Sequence, residues 1–425
     1  MREKLFEEAI TSGMDDIQIN ETKVTTTSLI LFNDQLDRFE TDTDCIFLIK
    51  GHYQGKIGKV LTNYLDDTNI DDIISDLMEN ALNNENVEED VFENGENNVD
   101  EKVAYPSVNF IKWRKQIENL AKTDCYAKQF YLTETSKEEK IINSLGKNSY
   151  SNSHMVNFDI EFTVIEGDES SVGVASFFGT IDDFDLDALY NETKSAALLK
   201  LEYSPIVSQK YSIILSSKMV SSILDGFITS FTYENVRNGM SFLKDCEKTP
   251  IMSNKITIIE DPTDSRLGGY RLFDDDGVNT YRKEVVKDGI LMTYLLNKKN
   301  AKLLNSPSTG NAFVGVPCRN LFIEKGTLSE EELLCDLGDG VYIDTLVGLH
   351  VGLNQTSGEI ALQAEGYLIE NGKKKAGLKQ FVMATSFQEL FQNVRKIGSD
   401  LTFYGEAIGS PSISFDGITL TFKDE

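Results

Sequence analysis

The chain has 425 residues, of which 40% are hydrophobic and 26% are charged, values typical of a globular protein. A single hydrophobic core rarely serves a chain of this length, so we expect two domains. The formal net charge of −28 repels nucleic-acid phosphates and anionic lipid headgroups, which disfavours direct DNA binding and membrane-surface binding.

Features of export or membrane insertion are missing from the sequence. No run of about 18 apolar residues occurs, and Glu7 and Glu8 interrupt the N-terminal segment where a signal peptide would be apolar. The five cysteines are odd in number and include no CxxC pair, which favours reduced thiols over disulfides or a cysteine zinc site. We therefore expect a cytoplasmic protein.

The first half of the chain predicts an antiparallel strand meander with helices. An N-terminal helix is followed by short alternating segments with breaks at 33–34 and 53–55. Apolar residues at helical spacing predict a helix over 70–81, with Asn69 as its N-cap, and a second helix after Pro106. The alternating segment 157–178 turns at 166–168, as in a hairpin. A further helix is expected over about 185–200, and the acidic stretch 85–102 is predicted to be a loop without a function.

The second half predicts a mostly β domain. Ser204-Pro205 breaks the pattern, so we place the boundary there and predict domains over 1–204 and 205–425. A buried strand near 211–216 and a helical stretch over 216–236 come first. Strands separated by Gly and Pro turns follow, one of them at 268–277, with helical patches at 329–337 and around 386–398. The fold class is α+β, with an N-terminal α/β domain built on a strand meander and a mostly β C-terminal domain carrying a few helices.

Histidines offer little support for catalysis. His52, His154 and His350 are the three in the chain, and no two have the spacing of an HExxH helix. A structural or surface role is favoured for each. His350 is the one most open to another role, because the glycines around it would admit a ligand. Neither a P-loop nor a GxGxxG motif is present, so the sequence gives no support for nucleotide binding.

The acidic run Asp274–Gly277 has the composition of a calcium loop but not its spacing. An EF-hand in this register would place Leu272 and Lys283 at ligand positions, where carboxylates are needed. We therefore predict a solvated acidic turn between strands.

Eight strings in the second half resemble the TldD/PmbA family in order and spacing. They are SFLKD (241–245), TIIEDP (257–262), the long segment 272–304, STGNA (308–312), NLFIEKGTLSEEELL (320–334), GLHVGLNQTSGEIALQAEGYLIENGK (348–373), SFQELFQNVRKIGSDL (386–401) and GSPSISFDGITL (409–420). The N-terminal half is similar to the family in the order of its helices and strands, but its amino-acid sequence matches poorly. Lys50, for example, stands where the family would have an arginine. The resemblance therefore rests on the C-terminal half.

The resemblance implies a two-domain protein that pairs with a copy of itself or with a homologue. TldD-type chains of this family are zinc peptidases with an HExxxH helix and a later cysteine ligand. PmbA-type (TldE) chains lack these ligands and pair with TldD to cut or trim unfolded peptides, including modified-peptide precursors. The family has also been labelled a modulator of DNA gyrase, but the acidic charge of this chain does not favour direct DNA contact.

On this alignment, Leu224, Asp225 and Thr229 occupy the positions of the first His, the Glu and the second His of the zinc helix. Zn²⁺ requires about three protein ligands, but leucine cannot bind it and threonine is a poor ligand. The string FYGEAIGSP, at 403–411, offers no cysteine where a TldD chain has one. The resemblance therefore implies a PmbA/TldE-like chain with no metal or cofactor of its own.

The leading hypothesis is a non-catalytic subunit or peptide-binding homologue of these proteases, acting as a homodimer or as a heterodimer with a TldD-type zinc protease. Strand addition to the β-rich domain would hold an extended peptide, because backbone pairing tolerates many sequences. The alternatives are an active hydrolase that uses carboxylates or another metal, and a free-standing ligand-binding dimer. Candidate peptide-binding residues, which would otherwise shape turns, are Asn311, Asn320, Asn354, Thr356 and Gly358.

Overall fold

The computed structural model describes most of the chain. The described residues are 1–84, 92–94, 102–122, 126–167, 169–179, 181 and 184–422. The predicted acidic loop over 85–102 lies outside them except for 92–94 and 102. No helix within these residues combines the length and apolar character needed to cross a membrane.

The N-terminal part is built on one six-stranded sheet in the order β3-β2-β1-β4-β5-β6, with every neighbouring pair antiparallel. Its strands are β1 (Asp16–Phe32), β2 (Gln35–Tyr53), β3 (Lys56–Thr62), β4 (Ala127–Asn143), β5 (Asn148–Glu166) and β6 (Glu169–Gly179). The predicted breaks and the predicted hairpin are confirmed, but the short segments are in fact long strands. β1 and β2 remain paired through their polar middles, which are rich in β-branched threonine.

Helices cover one face of this sheet. They are α1 (Arg2–Thr11), α2 (Ile70–Asn83), α3 (Phe110–Ala121) and α4 (Leu186–Leu199), which confirms the helices predicted there. Strand residues alternate between faces, so Ile17, Ile19 and Leu29 of β1 pack beneath the helices. Gln18 and Asn20 are also buried, but they lie on the opposite face, against the C-terminal part.

The C-terminal part is rich in strands, and this confirms the α+β fold class. One sheet has the order β10-β9-β8-β11-β17-β16 and the other β14-β13-β12-β7-β18-β15, with a further pairing of β14 to β18 that closes a ring of five strands. The strands are β7 (Gln209–Leu215), β8 (Ile258–Glu260), β9 (Lys283–Lys287), β10 (Ile290–Leu291), β11 (Leu321–Ile323), β12 (Gly340–Val347), β13 (Glu359–Glu370), β14 (Lys373–Ser386), β15 (Val394–Ile397), β16 (Thr402–Tyr404), β17 (Ile408–Ser410) and β18 (Ile413–Phe422).

The helical patch predicted at 329–337 is confirmed, whereas the other two predicted helical stretches of this part are shorter than predicted. The helices of this part are α5 (Ser217–Phe227), α6 (Tyr233–Arg237), α7 (Lys298–Leu303), α8 (Glu330–Leu337), α9 (Leu349–Gly352) and α10 (Phe387–Gln392). The helical stretch predicted over 216–236 is α5, a 3₁₀ turn at Ile228–Phe231, and α6. The patch predicted around 386–398 ends as a helix at Gln392 and continues as β15. The proposed boundary at 204/205 falls between α4 and β7.

Buried charges join the two parts where the acidic run Asp274–Gly277 meets the sheet. The predicted strand over 268–277 is a turn-rich loop, and the prediction of a solvated turn is wrong, because Asp274 is 0% exposed. Lys50, which is 5% exposed, donates from Nζ to the carbonyl oxygen of Asp275 at 2.7 Å and pairs with Asp276 Oδ1 at 3.1 Å. Gln18 and Asn20 donate to the same Asp275 carbonyl oxygen.

Arg271 completes this junction from the C-terminal side. Its Nη2 lies 2.8 Å from Asp275 Oδ1, and its Nε lies 3.3 Å from Glu139 Oε1 of β4. Burial and the charge of Asp276 raise the pKa of Asp274 to about 7. Burial acts in the same direction on Asp275, but Arg271 and Lys50 outweigh it and lower the pKa of that carboxyl. The junction therefore contains a carboxylate that depends on cations from both parts of the chain.

We predict that Lys50→Met will weaken the junction. The substitution removes the amine that Asp276 and the Asp275 carbonyl oxygen face, so the free energy of unfolding should fall by about 2–4 kcal/mol. Urea unfolding followed by Trp113 fluorescence and by circular dichroism measures this change. Lys23→Met is the matched control, because Lys23 is an exposed lysine of the same sheet. An equal loss in both variants would contradict the role given to Lys50.

Candidate functional site

A cleft of about 400 Å³ opens between α5, the β16–β17 hairpin and residues 311–319, which we call the wall loop. The lining combines hydroxyl, carboxylate and guanidinium groups with apolar side chains. The lining residues are Ser221, Ser222, Asp225, Val314, Val316, Arg319, Tyr404, Glu406, Ala407 and Ile408. We call this cavity the α5 cleft.

A second, larger cleft of about 1090 Å³ lies beside α7, and several lysines line it together with Glu93 and Asn94. The chain on either side of 92–94 falls outside the described residues, so the walls of this cleft are incomplete. The lining of the α5 cleft, in contrast, lies entirely within the continuous described segment 184–422. The α5 cleft is therefore the better-defined candidate site.

The sequence of α5 explains which side chains reach the cleft. Ser216 caps the helix by accepting a hydrogen bond from the Met219 N–H. Ser221 and Asp225 are four residues apart, so they lie on one face of the helix, and both line the cleft. The apolar residues of α5 face the core instead, and these are Met219, Val220, Ile223, Leu224 and Phe227.

Buried carboxylates fix the wall loop at several points. Glu260 of β8, which is wholly buried, accepts hydrogen bonds from Asn311 Nδ2 at 2.9 and 3.0 Å and from the Arg319 N–H at 2.9 Å. Asp274 accepts from the Ala312 N–H at 3.0 Å, and Asp275 accepts from the Val314 N–H at 2.9 Å. The wall loop therefore rests on Asp274 and Asp275, and the same turn binds the N-terminal part through the Asp275 carbonyl oxygen and the Asp276 carboxylate.

Arg319 projects from this loop with its guanidinium already oriented. Nη1 donates to the carbonyl oxygens of Val316 at 3.3 Å and Cys318 at 3.0 Å. The guanidinium carbon lies 4.5 Å from the ring centroid of Phe313, a cation–π distance, and Arg271 lies 5.4 Å from the same ring. A planar guanidinium held in this way is suited to bind carboxylate or carbonyl oxygens.

Tyr404 and Glu406 form the opposite side of the cleft. The Tyr404 hydroxyl lies 2.7 Å from Ser217 Oγ, and burial raises its pKa to about 12, so it is neutral at physiological pH. Glu406 forms an ion pair with Lys137 of β4 at 2.9 Å. Because that lysine offsets its charge, Glu406 adds little net negative potential to the cleft.

Two polar side chains of α5, those of Ser221 and Asp225, lack a hydrogen-bond partner or an ion-pair partner among the described residues. Ser221 is 2% exposed, and its Oγ has no hydrogen-bond partner among the described residues. Asp225 is exposed at the solvent side, yet partial burial of its carboxyl raises the pKa. The cleft thus has a buried hydroxyl and a carboxyl without a paired cation, two groups that a ligand could engage.

Asn311 and Asn320, two of the predicted peptide-binding residues, are buried and hydrogen bonded within the chain. Asn311 donates to Glu260 and to the Pro317 carbonyl oxygen. Asn320 has a left-handed backbone with φ of 47°, accepts from the Gly269 N–H at 3.0 Å and donates to the Asp261 carbonyl oxygen at 3.1 Å. In the structure the Asn311 side chain holds the wall loop itself, and the Asn320 side chain holds the backbone next to it.

The other three predicted residues lie in the turn before β13. Asn354 Oδ1 accepts hydrogen bonds from the Thr356 N–H at 3.0 Å and the Ser357 N–H at 3.2 Å. Gly358 has φ of 78°, and a Cβ there would lie 2.7 Å from Gln388 Oε1. None of the five predicted residues lines the α5 cleft, and their contact with a peptide stays a prediction.

The three degenerate zinc positions are not brought together in the structure. Leu224 is wholly buried in the core, and Thr229 donates to Gln355 Oε1 at 2.8 Å. Only Asp225 reaches the cleft. His350, the histidine most open to a functional role, is exposed on α9. Ser221 and Arg319 were not predicted as site residues from the sequence. The four-residue spacing of Ser221 and Asp225 could have indicated a shared polar helix face. Arg319 could not have been found in this way, because distant parts of the chain position it.

The fold and the cleft define a two-part α+β protein in which a helix-backed antiparallel sheet packs on a strand-rich half that lines a polar cleft. Residues 208–421 match the family model of the PmbA/TldA metallopeptidase C-terminal domain. The chain therefore belongs to the PmbA/TldD family, as the strings of its C-terminal half predicted.

Individual relatives agree with this assignment. A metalloprotease PmbA homologue of Buchnera aphidicola from Acyrthosiphon pisum is 29% identical over 215 residues, covering 51% of this chain and 47% of the relative. The chain thus spans about half the length of the curated relatives it matches. A Thermotoga maritima structure, provisionally assigned as a modulator of a DNA gyrase, has a TM-score of 0.87 and 25% identity over 99% of both chains. TldE from Thermococcus kodakarensis has the same fold, with a TM-score of 0.85, 16% identity and coverage of 99% of this chain and all of that one.

Because several relatives are named metalloproteases, we asked whether Leu224, Asp225 and Thr229, which the resemblance aligns with the zinc helix, could bind zinc. The donor set does not fit, because Leu224 is an aliphatic core residue and Thr229 is bound to Gln355. One exposed carboxyl, that of Asp225, cannot replace the roughly three ligands that zinc requires. Within the described residues, no group of three His, Cys, Asp or Glu side chains has metal-binding geometry.

We predict that Asn320→Ala will destabilise the protein whether or not a ligand is present. The substitution leaves the Gly269 N–H without its acceptor and puts alanine at positive φ, so the free energy of unfolding should fall by about 2–4 kcal/mol. Urea unfolding measures the effect, with Thr356→Ala as an exposed control that should change by less than about 0.5 kcal/mol. Equal stability of Asn320→Ala and the wild type would show that the side chain has no structural role.

Proposed function

We propose that this protein is a PmbA/TldE-like, non-zinc subunit or peptide-binding homologue that takes part in cytoplasmic peptide proteolysis or maturation. One observation carries the proposal: α5, which the family resemblance aligns with the zinc helix, presents Ser221 and Asp225 to a cleft and buries Leu224 in the core. This arrangement offers hydrogen-bonding groups to a ligand but not a zinc ligand set. The free thiols of the four described cysteines favour a reducing compartment.

An extended peptide is the ligand that the surroundings of the cleft favour. β16 ends its sheet and has a strand partner, β17, on one side only among the described residues. Tyr404 of that edge strand also lines the cleft. A peptide added to β16 would have its backbone amides paired and would run beside α5, without a demand for particular side chains.

Partners of this protein are proposed from the family. We propose a dimer with a second copy or with a TldD-type zinc protease, which would supply the catalytic metal that this chain lacks the ligands to bind. PmbA-named and TldD-named metalloproteases are both among the relatives of this chain, so the proposed pairing stays within one family. The net charge of −28 makes nucleic acid an unfavourable partner.

A second candidate function is hydrolysis by carboxylates of this chain. Asp225 favours it, because a carboxyl with a raised pKa beside Ser221 and Tyr404 could exchange protons with a substrate. This candidate predicts activity of the isolated chain and needs no partner. The two functions therefore differ in an assay of the purified protein alone.

The test is cleavage of a fluorescent, unstructured peptide by the purified chain, alone and with a TldD-type protease from the same source. We expect no turnover by the chain alone, measurable binding of the peptide, and faster cleavage when both proteins are present. Turnover by the chain alone that Asp225→Asn abolishes would contradict the subunit role and favour the second candidate. Asp76→Asn, at an exposed aspartate of α2, is the control for the loss of one negative charge.

A further inference from the structure

The hydroxyl group of Ser221 forms no hydrogen bond with any other group of the described chain. The side chain is 2% exposed, lines the α5 cleft and leaves Oγ without a hydrogen-bond partner. Its neighbour Ser222 has the ordinary solution for a helical serine and donates to the Lys218 carbonyl oxygen at 2.8 Å. Buried polar groups are nearly always paired, so an unpaired hydroxyl on a cleft wall indicates a ligand atom that would pair with it.

Arg319 gives a second indication on another wall of the same cleft. It is 9% exposed, and only Nη1 of its guanidinium hydrogen bonds to the described residues, leaving Nε and Nη2 available. Its stacking on Phe313 holds the guanidinium plane in place. A fixed, largely buried guanidinium with two N–H edges available is matched in geometry and charge to a carboxylate.

The polar side chains of the cleft differ in how deeply they are buried. The donors Ser221 and Arg319 are the buried groups, whereas the acceptor Asp225 is exposed at the solvent side. Asp225 lies beyond ion-pair distance of Arg319, and Glu406 is already paired with Lys137. A ligand would therefore place negatively charged oxygen atoms inside and an N–H group near the opening.

We propose that the α5 cleft binds the C-terminal end of an extended peptide, with its carboxylate on Arg319 and Ser221 and its last backbone N–H near Asp225. The inference rests on the proposed function and names the part of the peptide that this chain recognises. A volume of about 400 Å³ suits a chain end better than a long segment, since small-molecule pockets begin near roughly 300 Å³. Val314, Val316 and Ile408 supply apolar walls for the terminal side chain.

The experiment measures binding of fluorescein-labelled, unstructured decapeptides to the full chain by fluorescence anisotropy. Three forms of one sequence are compared: the free C-terminal acid, the C-terminal amide, and the amide with an internal glutamate. We expect the free acid to bind at least about tenfold more tightly than both others. Equal affinity of acid and amide would overturn the inference, and so would equally tight binding of the internal-glutamate amide. Failure of all three to bind would instead contradict the proposed function itself.

Matched serine variants locate the effect. Ser221→Ala should weaken binding of the free acid about fivefold to tenfold and leave the amide unchanged, because one hydrogen bond to a charged oxygen is lost. Ser75→Ala removes an exposed helical hydroxyl of α2, outside the lining of the α5 cleft, so its affinity for the free acid should equal that of the wild type. Ser221→Ala breaks no hydrogen bond of the described chain, and unchanged thermal unfolding confirms that it is folded. A folded Ser221→Ala variant with wild-type affinity for the acid would overturn the inference.

Discussion

The turn at Asp274–Asp276, with its backbone carbonyl oxygen at Asp275 and its carboxylates, holds together the parts of this protein on which the cleft depends. On one side this turn receives hydrogen bonds from Gln18, Asn20 and Lys50 of the N-terminal sheet. On the other side the carboxylates of Asp274 and Asp275 accept the backbone N–H groups of the wall loop. Buried carboxylates and carbonyl oxygens destabilise a protein unless they are paired. Packing of the two parts against each other and placement of the wall loop are therefore energetically coupled. The cleft is consequently a property of the whole chain rather than of the C-terminal half alone.

Under the proposed function, the α5 cleft is a binding surface in a chain without the family's zinc ligands. The helix presents one polar face that carries Ser221 and Asp225, and Leu224, which the family resemblance aligns with the first histidine, lies in the core. Arg319 supplies a positive charge to the cleft. A guanidinium cannot activate water as a metal does, but it can bind an anionic group firmly. The proposed function, peptide binding without catalysis by this chain, agrees with this lining.

Local patterns in the sequence predicted much of the fold, because helices and paired strands are encoded by periodicity. Helix α2, the β5–β6 hairpin and the family strings of the C-terminal half were all visible in this way. The prediction that Asp274–Gly277 is solvated was wrong, because an acidic run is exposed in most proteins. Its cationic partners could not be recognised in the sequence: Lys50 is more than 200 residues away from Asp276, and no motif marks Arg271 as a partner of Asp275. The cleft was missed for the same reason, because α5, Arg319 and Tyr404 meet only through tertiary packing.

In the proposed role this chain works without a zinc ion of its own. Elemental analysis of the purified protein, together with its mass by light scattering, measures this property. We expect zinc far below one atom per chain, unchanged by dialysis against zinc followed by buffer, in a dimer. About one tightly held zinc per chain, lost only to a strong chelator, would contradict it and would require a ligand set other than Leu224, Asp225 and Thr229.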